Sequence, residues 1–186
     1  MPVLPMEPFV FPQHLLAGGE PALASTGPWW VLHTKPRAEK ALARRLLCRD
    51  VSFFLPLFQR VNRTNGRVQT AHLPLFPGYL FLNGNADDRY IAQETNLVAR
   101  CLAVTDEDRL LSDLTRVHQL MLSDAELQPE HRLAAGALVE IVDGPLAGIT
   151  GKVLRRGKQL RFFIEVDLLQ RGFSIELDRW MFRPVD

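Results

Sequence analysis

The sequence is poor in the features that mark several large protein classes. It has two cysteines, Cys48 and Cys101, far apart and without CxxC spacing. That excludes a disulfide framework or a zinc knuckle and leaves two ordinary reduced thiols as the expectation. No run of about 18 apolar residues occurs, so no membrane span and no membrane partner are expected. No Lys or Arg precedes Lys35, and prolines interrupt the early apolar residues, which is not the pattern of a secretory signal. A cytoplasmic protein is expected. The five histidines (His14, His33, His72, His118, His131) are scattered and lack a Cys or Glu at ligand spacing, so neither a metal site nor a cofactor is expected. Gly144, Gly148 and Gly151-Lys152 superficially resemble a phosphate loop. Their spacing fails the GxxxxGK[ST] pattern, and Val153 stands where a hydroxyl is needed. No set of residues fits nucleophile, base and oxyanion donor, so no enzymatic activity is expected.

What is present is an ordinary composition, 47% hydrophobic and 23% charged over 186 residues, enough for one or two small domains. The net charge of +1 conceals a separation. Residues 35–67 carry nine basic and two acidic side chains, a balance of +7, whereas residues 84–131 carry ten acidic and four basic, a balance of −6. A surface so divided can meet nucleic acid on one side, although charge runs also serve solubility.

Residues 1–27 hold five prolines and no period, and are read as a flexible or loosely docked extension. Trp29 to His33 is aromatic, β-branched and short, a strand. Pro36 suits the first turn of a helix reaching about Arg49, with Ala38, Ala41, Leu42 and Leu46 buried and Arg37, Lys40 and Arg44 exposed. Val51 to Val61 reads as a strand broken at Pro56. Asn65-Gly66 is a turn between two polar, basic arms, a projecting hairpin. Leu73 to Leu82 contains a Pro-Gly turn and then a nearly continuous apolar strand, as expected of a central strand covered on both faces. A short helix at Asp87 to Glu94, a strand at Val98 to Val104 and a helix opened by Thr105 and Asp108 follow. The last presents Leu110, Leu111, Leu114, Val117 and Met121. A polar linker covers 124–134. From Gly136 only strands and turns are expected, with glycines 144, 148 and 151 at tight reversals. The class is α+β: an antiparallel sheet with packed helices over 28–123, then a small all-β, SH3-like barrel over 135–186.

These segments resemble a known family. Trp29 to Lys40 is similar to the opening of the NusG N-terminal (NGN) domain; Phe54-Leu55-Pro56-Leu57 and Pro74 to Phe81 continue the likeness. Asp143 to Val153, preceded by the alternating Leu138 to Val142, resembles the KOW signature. The resemblance covers residues 29–184. It implies a transcription elongation factor, monomeric, whose NGN domain binds the β′ clamp helices of RNA polymerase, reaches toward the β subunit and suppresses pausing. It also implies a KOW domain that recruits a small-subunit ribosomal protein or a termination factor.

Carried onto this chain, the resemblance makes Trp30, His33, Phe76, Pro77, Tyr79 and Phe81 the candidate polymerase contacts. If Tyr79 and Phe81 share one strand face, Leu80 and Leu82 take the other, so one pair packs on helices while the other lines a groove. Arg37, Lys40, Arg44, Arg60, Arg63 and Arg67 are the candidate contacts to upstream DNA or the non-template strand, acting through phosphates. Leu168, Leu169, Arg171 and Phe173 form the candidate partner loop of the KOW domain. Family members commonly place an exposed aromatic where Leu169 stands. That departure, with the compact wording around Pro56 and Pro77, leans toward an operon-specialised antitermination paralog. The alternatives are a housekeeping NusG coupled to termination or translation, and a stand-alone KOW-type RNA-binding or ribosome-assembly protein.

Overall fold

The computed structural model describes residues 8–16, 27–64, 67–123, 128–131, 136–143, 146–156, 159–169, 171–176 and 182–185. In chain order its elements are β1 (Val10–Phe11), β2 (Trp29–Thr34), α1 (Glu39–Leu47), β3 (Ser52–Phe54), β4 (Leu57–Thr64), β5 (Arg67–Pro74), β6 (Tyr79–Asn83), α2 (Ala86–Glu94), β7 (Val98–Ala103), α3 (Glu107–Met121), β8 (Gln128–His131), β9 (Ala137–Ile141), β10 (Thr150–Arg156), β11 (Gln159–Val166), β12 (Arg171–Glu176) and β13 (Phe182–Pro184). The chain forms two compact units, residues 1–108 and 109–186. Every strand pairing is antiparallel, and the class is the α+β one expected.

The first unit is built on a five-stranded sheet in the order β1-β3-β6-β2-β7. Period-2 alternation separates its faces. One row of neighbours crosses all five strands: Val10, Phe54, Phe81, Val31 and Leu102. A second row, Phe11, Phe53, Leu82, Trp30 and Ala103, lies on the other face. Helix α2 takes this second face. Arg89 of α2 lies 4.7 Å over the Trp30 ring, and α1 touches α2, β3 and β6. Leu80 and Leu82 therefore lie on the α2 face while Tyr79 and Phe81 face the opposite way. The apolar strand β6 is central, as its unbroken run of buried residues requires.

Several expectations shift in detail. Residues 8–16 are not a loose extension. Phe9 O accepts from Leu55 N at 2.6 Å, β1 becomes the edge strand, and Leu15 and Leu16 are buried. Apolar residues among prolines can still serve as an edge strand, where missing N–H groups are tolerated. Residues 1–7 and 17–26 lie outside the described set. Pro36 does not enter α1. It sits in a turn closed by Ala38 N to Lys35 O at 3.1 Å, and Arg37 adopts φ +61. The helix starts at Glu39, whose charge suits a helix N-terminus, and buries Leu42, Ala43 and Leu46. The stretch broken at Pro56 becomes two strands in different sheets, β3 in the main sheet and β4 in a two-stranded ladder with β5. Asn65 and Gly66 lie outside the described residues, yet Thr64 pairs with Arg67 on either side of them. Helix α2 begins with a capping box. Asn85 Oδ1 accepts from the backbone N–H groups of Asp87 and Asp88 at 2.8 and 3.0 Å, and Asp88 Oδ2 accepts from Asn85 N at 2.9 Å.

The second unit carries a six-stranded sheet, β13-β9-β10-β11-β12-β8. The sixth strand comes from the stretch read as linker, where β8 pairs with β12. Val139, Ile141, Phe162, Phe163, Ile164, Val166 and Ile175 are among its buried apolar residues. Gly151 is required by close approach, because a Cβ there would meet the Phe162 ring at 2.6 Å and Phe163 O at 2.7 Å. The second unit begins at Arg109, within α3. Arg109, Ser112, Asp113 and Arg116 line a crevice of about 300 Å³ with Leu138, Thr150, Lys152, Phe163 and Glu165. The outer charges pair: Lys152 with Glu165 at 3.4 Å and Arg183 with Glu140 at 3.1 Å.

Candidate functional site

The bend Phe76-Pro77-Gly78-Tyr79 is where sequence chemistry and geometry converge. Proline at the second position and glycine with φ +85 at the third are the signature of a type II turn. Tyr79 N donates to Phe76 O at 3.0 Å and closes it, and Thr34 N donates to Gly78 O at 2.8 Å and ties it to β2. A third bond reaches from α1: Gly78 N donates to Glu39 Oε1 at 2.7 Å. Glu39 is only 6% exposed. The turn is thus fixed to a strand and a helix before any partner arrives, which lowers the entropy lost on binding.

The candidate polymerase residues separate into three groups. His33 and Tyr79 are cross-strand neighbours, half-buried, with ring centroids 5.1 Å apart and tilted by 40°. Pro77 beside them is exposed. Phe76 and Phe81 are core. They are 1% and 0% exposed and meet edge to face at 6.2 Å, and Phe81 also stacks on Phe54 at 6.3 Å. They support the bend from beneath. Trp30 lies on the helix-bearing face, its indole N–H donating to Gly84 O at 3.1 Å, so it does not border His33 and Tyr79. Cys101 shares the Trp30 face by register with Leu32; burial raises its thiol pKa and Arg89 pulls it back.

Of the candidate nucleic-acid contacts, Arg37, Arg44 and Arg60 are exposed and Lys40 is half-buried. Arg37 precedes α1 rather than riding on it, so only Lys40 and Arg44 share that helix. Arg63 and Arg67 occupy the distal end of the β4–β5 ladder, with side chains outside the described set. In the second unit Leu168 is 41% exposed and Leu169 half-buried in a single 3₁₀ turn, Asp167–Leu169. Arg171 opens β12 half-buried, and Phe173 pairs with Ile164, its side chain outside the described set. The residue the sequence reading missed is Glu39. Its signal was a carboxylate at the first helical position, two places after an arginine, among residues otherwise chosen for positive charge.

The first unit is thus an antiparallel α+β module presenting a rigid aromatic bend, followed along the chain by a small antiparallel β unit. Residues 27–119 match the family model described as transcription termination factor NusG, which is half of the chain. The chain belongs to the NusG family and is, in general terms, a transcription elongation factor.

Two solved structures resemble it at low identity. Thermotoga maritima NusG, described under domain interaction, is 16% identical with a TM-score of 0.46 over 86% of this chain and 97% of that one. A chain of the MjSpt4:Spt5 complex in conformation B is 16% identical with a TM-score of 0.27 over 85% and 97%. No curated protein matches. Among the described residues no helix is long and apolar enough to cross a membrane.

Proposed function

We propose that this chain binds the β′ clamp helices of RNA polymerase through the His33–Pro77–Tyr79 surface, reaches toward the β subunit, and suppresses pausing and termination as an operon-specialised antitermination factor. Residues 28–123 act as the polymerase-binding module and 135–186 as a KOW barrel that recruits a partner. One observation carries the reading: a bend held by two backbone–backbone hydrogen bonds and one to the Glu39 side chain carries a half-buried His–Tyr pair above a phenylalanine core. Such a preorganised aromatic edge suits the apolar side of a partner's helix pair. Arg37, Lys40, Arg44 and Arg60, joined by Arg63 and Arg67, hold nearby nucleic acid through its phosphates, which adds affinity without reading sequence. The specialised role is supported by the barrel's partner loop, where the exposed side chain is the aliphatic Leu168 beside Leu169, Arg171 and Phe173, without the aromatic common in the family.

The test is transcription in vitro with purified polymerase, scored for pause lifetime and terminator read-through. The intact chain shortens pauses and raises read-through, and a His33→Ala/Tyr79→Ala chain that remains folded does neither. Unchanged activity in that double variant would reject the surface. Tight RNA binding with no effect on polymerase would instead favour the stand-alone RNA-binding reading.

A further inference from the structure

The buried carboxylate of Glu39 is unexplained by charge alone. Acidic residues suit the start of a helix, but they do so from the surface, and Glu39 is 94% withdrawn from water by its 6% exposure. A buried carboxylate persists where it is hydrogen-bonded, and here the recorded donor is Gly78 N at 2.7 Å. In the segment Phe76 to Tyr79, Tyr79 N donates to Phe76 O, and Gly78 O accepts from Thr34 N. Pro77 has no N–H. Gly78 N is the donor at the turn's centre, and the peptide unit it belongs to is the one whose rotation interconverts type I and type II turns. Holding it sets the direction in which the chain leaves toward Tyr79. His33 is part of the same arrangement, since its imidazole Nε2 lies 3.5 Å from where a Cβ on Gly78 would be.

We propose that Glu39 is a positioning residue for the binding surface. Its carboxylate clamps the central peptide of the Phe76–Tyr79 turn and so fixes the His33–Tyr79 pair in the orientation that the partner meets. The proposal rests on the polymerase-binding reading above. Glu39 itself contacts no partner; its effect passes through Gly78. Side-chain length, rather than charge, is the property that matters. Glutamine keeps both the reach and a carbonyl acceptor. Aspartate keeps the charge at the helix start but is shorter by one C–C bond, about 1.5 Å, and falls short of Gly78.

The experiment uses the full-length chain and its Glu39→Gln, Glu39→Asp and Glu39→Ala variants. Two quantities are read: the exchange rate of the Gly78 amide by NMR, and affinity for purified RNA polymerase. In Glu39→Asp and Glu39→Ala the Gly78 amide is expected to exchange at least about tenfold faster, and polymerase affinity to fall about tenfold, the scale of one buried hydrogen bond. Glu39→Gln retains most of the protection and most of the affinity. A merely structural role predicts a different order, with Asp closest to the parent because it preserves the helix-start charge. Unchanged Gly78 protection in Asp and Ala, or Gln as weak as Ala, would overturn the clamp. A parent chain that does not bind polymerase would overturn the binding reading instead, while the exchange rates alone still decide whether the clamp exists.

Discussion

Replacing Phe81 with alanine separates two roles that an aromatic residue near a binding surface can play. Phe81 is fully buried, at the centre of the five-residue row that crosses the sheet, between Phe54 and Val31. Its ring meets Phe54 at 6.3 Å and Phe76 at 6.2 Å. Truncating such a phenylalanine removes the transfer energy of the ring and leaves a cavity that the sheet backbone cannot collapse, together about 4 kcal/mol. For a unit of this size that corresponds to a drop of roughly 20 °C in unfolding midpoint. Phe81→Leu, which refills most of the volume, should lose only about 1 to 1.5 kcal/mol. Tyr79→Ala, at a half-buried site, should destabilise by about 1 kcal/mol yet weaken polymerase binding by about 2 kcal/mol, near thirtyfold. Urea denaturation followed by tryptophan fluorescence gives the stabilities, and titration against polymerase at a temperature where each variant is folded gives the affinities. A Phe81→Ala chain that keeps its stability within 1 kcal/mol of the parent but loses polymerase affinity would mean the ring is a contact, and the assignment of Phe76 and Phe81 to the core would fail.

Other consequences can be measured separately. Deleting residues 1–16 removes β1 and the burial of Val10, Leu15 and Leu16, and should destabilise the first unit by about 2 kcal/mol after the entropy of ordering the tail is discounted, visible as a lower urea midpoint. Asn85→Ala removes the α2 cap and should lower stability by about 1 kcal/mol in the same assay. Neutralising Arg37, Lys40 and Arg44 together should flatten the log–log salt dependence of nucleic-acid binding by up to about 3; an unchanged slope would remove them from the contact surface. Cys101, whose pKa burial has raised, should alkylate with iodoacetamide more slowly than exposed Cys48 at pH 8, because less of it is thiolate. The same shift makes its contribution to stability complete below the unfolded thiol value and diminishing as pH climbs past it, which a denaturation series from pH 7 to 10 would show.

Much of the fold was legible because its elements announce themselves locally. The alternation of Tyr79, Leu80, Phe81 and Leu82 divided the central strand into two faces, but the expectation that the pair away from the helices lines a groove fails at Phe81, which is fully buried. Asn-Gly marked the hairpin, and the apolar spacing of Leu110, Leu114 and Val117 marked α3. What was not legible depended on distant partners. β1 is two residues long and exists because β3 offers it an edge; nothing within residues 8–16 carries a strand period. β8 is a polar segment whose strand character comes from pairing with β12. Pro36 looked like a first-turn proline, but Lys35 N is held by Leu97 O at 2.8 Å, and that bond commits the chain to another turn before α1 begins. Within the candidate site, aromatic identity was readable and depth was not. Trp30 and His33 are three residues apart in one strand, an odd spacing that already puts them on opposite faces, but which of the two faces carries α2 depends on distant packing. Glu39 was invisible as a support because its partner, Gly78, is 39 positions away.

The tail strand has a consequence for behaviour at high concentration. With β1 laid along β3, the described sheet ends in the two-residue β1 on one side and in the six-residue β7 on the other. That flank has no proline or lysine to deter a visitor and shows Leu102 to solvent at 39% exposure. Two molecules can join through β7, flank to flank, whereas β1 offers only two residues, an edge too short to template a lasting ladder. Trimming the first sixteen residues would replace that two-residue edge with the three-residue β3, so any growth of the sheet would still run through the longer β7.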